Sequence, residues 1–211
     1  GGFGAVLARA GVGKTALLVQ LALSNLLQNK NVLHISLDDP VKKVSLWYKE
    51  VFRHLTKSYD VKKINQLWES LLPHRFIMTF KVDGFSVPKL EERLVDLKEQ
   101  NIFSPQIVFI DGFPFHEKVI MPLSDFKDLA KNHSLQVWFT VRTRRHEKPG
   151  PDGMPAPLLD VADLFDVVIQ LQPKGKEIHV KILKGGSRDS DRTTLLLDPS
   201  TMLITNNQKP A

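Results

Sequence analysis

A chain of 211 residues, 42% hydrophobic and 25% charged, can bury one full α/β core, and nothing in that length calls for a second domain. Cysteine is absent, which excludes disulfides and thiolate metal sites. No apolar run approaches the roughly 18 residues of a membrane span, so the expectation is a cytoplasmic chain without a membrane partner. A formal charge of +6 suits phosphates, nucleic acid or acidic partners without choosing among them.

The numbering opens on Gly1-Gly2 and a strand follows almost at once, so the sequence reads as a segment of something longer. Gly4 to Leu7 is that strand. After a glycine loop, Lys14 to Gln28 carries Leu17, Leu18, Leu21 and Leu27 at helical spacing and stops at Asn29-Lys30-Asn31. Val32 to Leu37 is a second strand. Between Pro40 and Pro73 two helices are expected, with Val44, Trp47, Val51 and Leu55 inward on one and Ile64, Leu67 and Leu71 on the other. Arg75 to Phe80 is a strand, Val87 to Gln100 a helix, Gln106 to Asp111 an apolar strand, Pro122 to Asn132 a helix and Leu135 to Val141 a strand. This alternation predicts a mainly parallel sheet covered by helices on both faces.

The last third differs. A Pro- and Gly-rich basic loop runs from Arg142 to Pro157, followed by a strand at Val167 to Leu171. Glu177 to Leu183 and Thr194 to Leu197 then read as antiparallel strands, with a frayed tail from Thr205. His34, His116 and His146 lack metal-ligand spacing, and Trp47, Trp68 and Trp138 read as core.

The chemistry concentrates at the first strand-to-helix junction, Ala8-Arg9-Ala10-Gly11-Val12-Gly13-Lys14-Thr15-Ala16. Glycines allow backbone N–H groups to wrap an anion, and the following helix points its positive end at it. Residues Ala10 to Ala16 are therefore the phosphate-binding candidates, with Lys14 reaching the β- and γ-phosphates of a nucleotide and the Thr15 hydroxyl on Mg²⁺. Ala8 stands where the usual pattern has its first glycine. Asp111, ending the run Ile107-Val108-Phe109-Ile110, is the acid expected to hold the metal, and residue 112 is Gly where many P-loop enzymes place a glutamate. The run Ser36-Leu37-Asp38-Asp39-Pro40 offers two further carboxylates beside the expected γ-phosphate, either as a base or as a cap for the helix after Pro40.

The succession of strand, Ala-Arg-x-Gly-x-Gly-Lys-Thr, helix and Ser-Leu-acid-acid-Pro resembles the RecA-like superfamily, within it the KaiC-like and DnaB-like ATPases. The resemblance implies an α/β RecA-like P-loop fold over residues 1–211, with a central, mainly parallel sheet, flanking helices and C-terminal antiparallel strands. It implies ATP and Mg²⁺ as ligands and action in a homo-oligomer. It casts Asp38 or Asp39 as the group that polarises the attacking water and Thr140 as a γ-phosphate sensor, although a threonine there also suits a strand. It casts Lys184 as a basic finger reaching a neighbouring subunit's nucleotide, the alternative being an exposed hairpin lysine. The family's second basic residue falls on Gly186, with Arg188 as a substitute.

A guanine-reading Asn-Lys-x-Asp motif and a Leu-Ser-Gly-Gly-Gln signature are both missing. Arg142, Arg144 and Arg145 follow the Thr140 strand where DNA pumps place a channel loop, so nucleic acid is a candidate partner; a solvated basic loop is the other reading. Three functions stay open: a Mg²⁺-dependent ATPase working in an assembly, a nucleotide-sensing domain with little hydrolysis, and a nucleic-acid-dependent motor.

Overall fold

Strand alternation places Phe3, Ala5 and Leu7 on one side of the first strand and Val6 and Ala8 on the other, and both sets are buried. A strand apolar on both faces has to lie inside a sheet covered twice, and the computed structural model has that arrangement. The structure describes residues 1–115, 119–144, 147–150, 153–186 and 195–206. The strands are β1 (Phe3–Ala8), β2 (Val32–Ser36), β3 (Arg75–Thr79), β4 (Ile107–Asp111), β5 (Gln136–Arg142), β6 (Val167–Lys174), β7 (Glu177–Lys184), β8 (Leu195–Leu197) and β9 (Ile204–Asn206). The helices are α1 (Lys14–Leu26), α2 (Val41–Leu55), α3 (Val61–Leu71), α4 (Val87–Glu99) and α5 (Ile120–Asn132).

The strands form one nine-stranded sheet in the order β3-β2-β4-β5-β1-β6-β7-β8-β9. Pairing is parallel from β3 through β6 and antiparallel from β6 to β9. Leu33, Val108, Ile110, Val137 and Phe139 face a layer completed by Leu90 and Leu94 of α4 and Leu123 and Phe126 of α5. Val32, Ile107 and Phe109 face the other, completed by Leu17 and Leu23 of α1 and by Val44, Tyr48 and Phe52 of α2. Gly4 is used inside β1 because its cross-strand neighbour Trp138 lies over it, where a Cβ would meet the indole at 2.5 Å.

Several expectations are corrected. Leu55 and Leu67 are exposed, while Tyr48 and Phe52 carry the inner face of α2, because α2 runs a turn past its last core contact at Phe52. The three tryptophans pack against the α1–α2 layer but are only partly buried. Helix α5 begins two residues before Pro122, which sits in the first turn where its missing N–H costs nothing. Thr205 is not frayed: Ile204–Asn206 pairs with β8, so the sheet gains a strand that a three-residue stretch with no alternating pattern did not announce.

Candidate nucleotide site

The loop from Arg9 to Gly13 joins the end of β1 to α1, and its glycines at Gly11 and Gly13 have φ of 76° and 108°, a region that side chains disfavour. Gly13 is also pinned by packing, since a Cβ there would lie 2.8 Å from Leu197 Cδ2 and 3.2 Å from Met202 Sδ. The turn between β8 and β9 is clasped to α1 as well: Gln20 Nε2 donates to the Met202 carbonyl and Ile204 N–H donates to Gln20 Oε1. Helix α1 starts with no capping side chain and no acidic residue in its first turn. Its first amides and the positive end of its dipole are therefore left for an outside anion. Ala8 belongs to β1, buried and paired with Arg142, so the departure from the glycine pattern falls before the loop and leaves its backbone unaffected. Lys14 Nζ folds back to donate to the carbonyls of Ala8 and Arg9, at 3.1 Å each.

Asp111 ends β4 facing the loop. Thr15 Oγ1 donates to its Oδ2 at 2.7 Å and Thr140 Oγ1 to its Oδ1 at 2.7 Å. Thr140 also accepts from the Gly112 N–H at 3.1 Å. Three sequence-predicted positions from α1, β4 and β5 thus meet in one hydrogen-bonded chain, with the Thr140 hydroxyl engaged by Asp111 and the Gly112 amide. Thr15 and Asp111 present the hard oxygens that Mg²⁺ selects. Among the described residues no group of three or more His, Cys, Asp or Glu side chains gathers. A magnesium ion here would complete its shell with water and a ligand's phosphates, its usual habit.

The two carboxylates after β2 separate. Asp39 accepts from Lys43 Nζ at 2.9 Å, and its N–H donates to Ser36 Oγ at 2.9 Å. Asp38 turns to Gly112 instead, where an added Cβ would stand 2.6 Å from Asp38 Oδ2. With φ at 87°, position 112 favours glycine, and the carboxylate beside it is that of Asp38, from the turn after β2. Neither aspartate caps α2; its N-cap is Pro40, with no side-chain bond. Burial, then Asp111 and Asp39, push the Asp38 carboxyl above the usual range, against the pull of Arg142 and Lys14. Burial lowers the Lys14 ammonium, helped by Arg142 and opposed by Asp111 and Asp38.

Lys14, Thr15, Asp38, Asp111 and Thr140 line one cleft of about 1060 Å³ at the carboxyl ends of the strands, where open α/β sheets bind ligands. Arg142 and Arg144 line it too. The sequence reading missed its apolar wall, Phe113, Phe115 and Ile120, whose signal was the aromatic run directly after Asp111. Lys184 is elsewhere: from the end of β7 its Nζ donates to the Ala162 carbonyl at 2.9 Å. Arg144 Nε lies 3.9 Å from Glu147, largely in solvent. Arg145, Arg188, His116 and His146 lie outside the described residues.

No family model matches the chain, and no curated protein matches it. Solved structures do. The ATPase domain of G40P superposes with a TM-score of 0.68 at 17% identity, over 98% of this chain and 85% of that one. A likeness at that identity speaks for architecture, and with the sheet order and the loop-to-helix junction it identifies the fold as RecA-like.

Proposed function

We propose that this chain, acting as one domain, binds ATP with Mg²⁺ at Ala10 to Ala16 and hydrolyses it within an oligomeric assembly. The observation that carries the reading is the uncapped start of α1 behind Gly11 and Gly13, with Thr15 bonded to Asp111 in front of it. The loop amides hold the β-phosphate, and Lys14 exchanges its bonds to Ala8 and Arg9 for the γ-phosphate oxygens. Thr15 and Asp111 hold the ion, which when bound neutralises charge building on the phosphates. Asp38 accepts a proton from water as the water's oxygen forms a bond to the γ-phosphorus. The bond from that phosphorus to the bridging oxygen breaks and ADP leaves. A raised Asp38 carboxyl suits a base working nearer neutrality. Thr140 keeps Asp111 and the Gly112 amide in register. A cytoplasmic setting accords with a chain free of cysteine.

Calorimetry with ATP and Mg²⁺ tests the reading. Saturable binding is expected, with affinity falling at least tenfold in Lys14→Ala. Absence of heat and of thermal stabilisation in the parent protein overturns the site.

One set of observations favours a nucleotide sensor with little turnover: Lys14 rests on its own loop, and Lys184 is engaged by Ala162. Turnover that disappears in Asp38→Asn counts against the sensor. For a nucleic-acid motor, the structure offers Arg142 and Arg144, both exposed and both at the rim of the cleft.

A further inference from the structure

Helices α2 and α3 carry six cations, Lys42, Lys43, Lys49, Arg53, Lys62 and Lys63, against two anions, Glu50 and Glu69, which accounts for most of the chain's excess of +6. The turn joining them adds Lys57. Two of these cations are paired, Lys43 with Asp39 and Arg53 with Glu50. Lys57, Lys62 and Lys63 form no salt bridge with any described residue. The lone acid of the turn, Asp60, spends its carboxylate capping α3 by accepting from the Lys62 and Lys63 amides.

Between these lysines stand apolar side chains that the fold leaves uncovered. Tyr59 is 70% exposed, Val61 71% and Leu55 41%. Fraying does not explain them. The turn is tied by Tyr59 N–H to the Thr56 carbonyl, by Thr56 N–H and Oγ1 to the Phe52 carbonyl and by the Asp60 cap. It is a held turn that leaves three hydrophobes exposed, with lysines as their neighbours in sequence.

We propose that this turn docks on an anionic phospholipid surface. Tyr59 and Val61 enter the headgroup layer, Leu55 follows at its edge, and Lys57, Lys62 and Lys63 contact the lipid phosphates and carboxylates. Charge names the occupant, and the chemistry of the exposed side chains narrows it. A tyrosine with an aliphatic neighbour suits the boundary between headgroup and chain, and lysines around it supply attraction to acidic lipid. A nucleic-acid strand would leave Val61 and Leu55 without a role. No helix among the described residues is long and apolar enough to cross a membrane, which bears on spanning and leaves surface docking open. The turn lies at the far end of α2, roughly 22 Å from the residues that border the cleft, so a docked molecule keeps the cleft open.

Sedimentation with phosphatidylcholine vesicles, with and without phosphatidylserine, tests the proposal. Binding is expected only to the acidic vesicles and weakens with salt. Each lysine reversed among Lys57→Glu, Lys62→Glu and Lys63→Glu costs about fivefold or more in partition. Tyr59→Ser with Val61→Ser, which leaves the charges intact, also loses binding, and Tyr59→Trp shows a blue shift of its added emission on acidic vesicles. The proposal is overturned if the parent ignores acidic vesicles, if the double serine variant binds undiminished, or if the turn takes up a single-stranded oligonucleotide or polyglutamate in their place. Lys14→Ala binds vesicles like the parent, so this outcome is separate from that of the nucleotide site.

Discussion

At the scale of single residues, the two adjacent aspartates divide roles that a linear reading left joined. Asp38 is held against Gly112 among Lys14, Arg142 and Asp111, whereas Asp39, at the border of the same cleft, is paired with Lys43. Steady-state turnover is therefore expected to fall by about a hundredfold or more in Asp38→Asn, a loss typical of a general base, and only slightly in Asp39→Asn. Equal losses in both would remove Asp38 from its role. The glycine loop at the β1–α1 junction was legible because it depends on neighbours in sequence: glycines, a lysine and a hydroxyl spaced along one turn. Asp111 was legible because an apolar strand must end before an acid. The choice between Asp38 and Asp39 was not, since it turns on Ser36, Lys43 and Gly112 converging from different elements. Likewise the engagement of Thr140 by Asp111 depends on two strands lying side by side.

At the scale of elements, strand and helix order followed the hydrophobic periods closely, and the departures sit where tertiary partners decide. Leu55 and Leu67 obey helical spacing yet face solvent, because no layer extends over them. His34 is the converse, a polar residue wholly buried in β2. Its Nδ1 shares a hydrogen bond with the Tyr48 hydroxyl at 3.1 Å, and its Nε2 has no partner among the described residues. Arg75 of β3 lies over the Tyr48 and Trp68 rings and ties α2 and α3 to the sheet edge. Burial holds the His34 pKa down at about 4, with Arg75 adding to the depression and Asp111 opposing it. The unfolded chain takes up this proton near the ordinary 6.5 while the folded one stays neutral. Stability is thus fully present above that value and declines as pH falls toward 4, by about 3 kcal/mol at most. Urea unfolding between pH 7 and pH 4.5 checks this: His34→Gln flattens the decline, and an unchanged slope would exclude His34 as its source.

At the scale of the whole molecule, the RecA-like sheet divides into a parallel part that forms the cleft and an antiparallel part that carries Lys184 and the β8–β9 turn. If Lys184 serves a neighbour's nucleotide, solution mass by light scattering will show an oligomer in ATP. Lys184→Ala will then lower turnover at least tenfold while one-site ATP affinity holds. A monomer with full turnover excludes that arrangement. The contact of Leu197 and Met202 with Gly13 has a consequence for biogenesis. Residues near the start of the chain take their shape against residues near its end. A nascent chain that has already threaded β1 to β6 still lacks the support beneath Gly13. The packing around the glycine loop is completed only when β8 and the turn after it emerge from the ribosome, so on the proposed function ATP retention by a stalled chain would report that β8 has arrived.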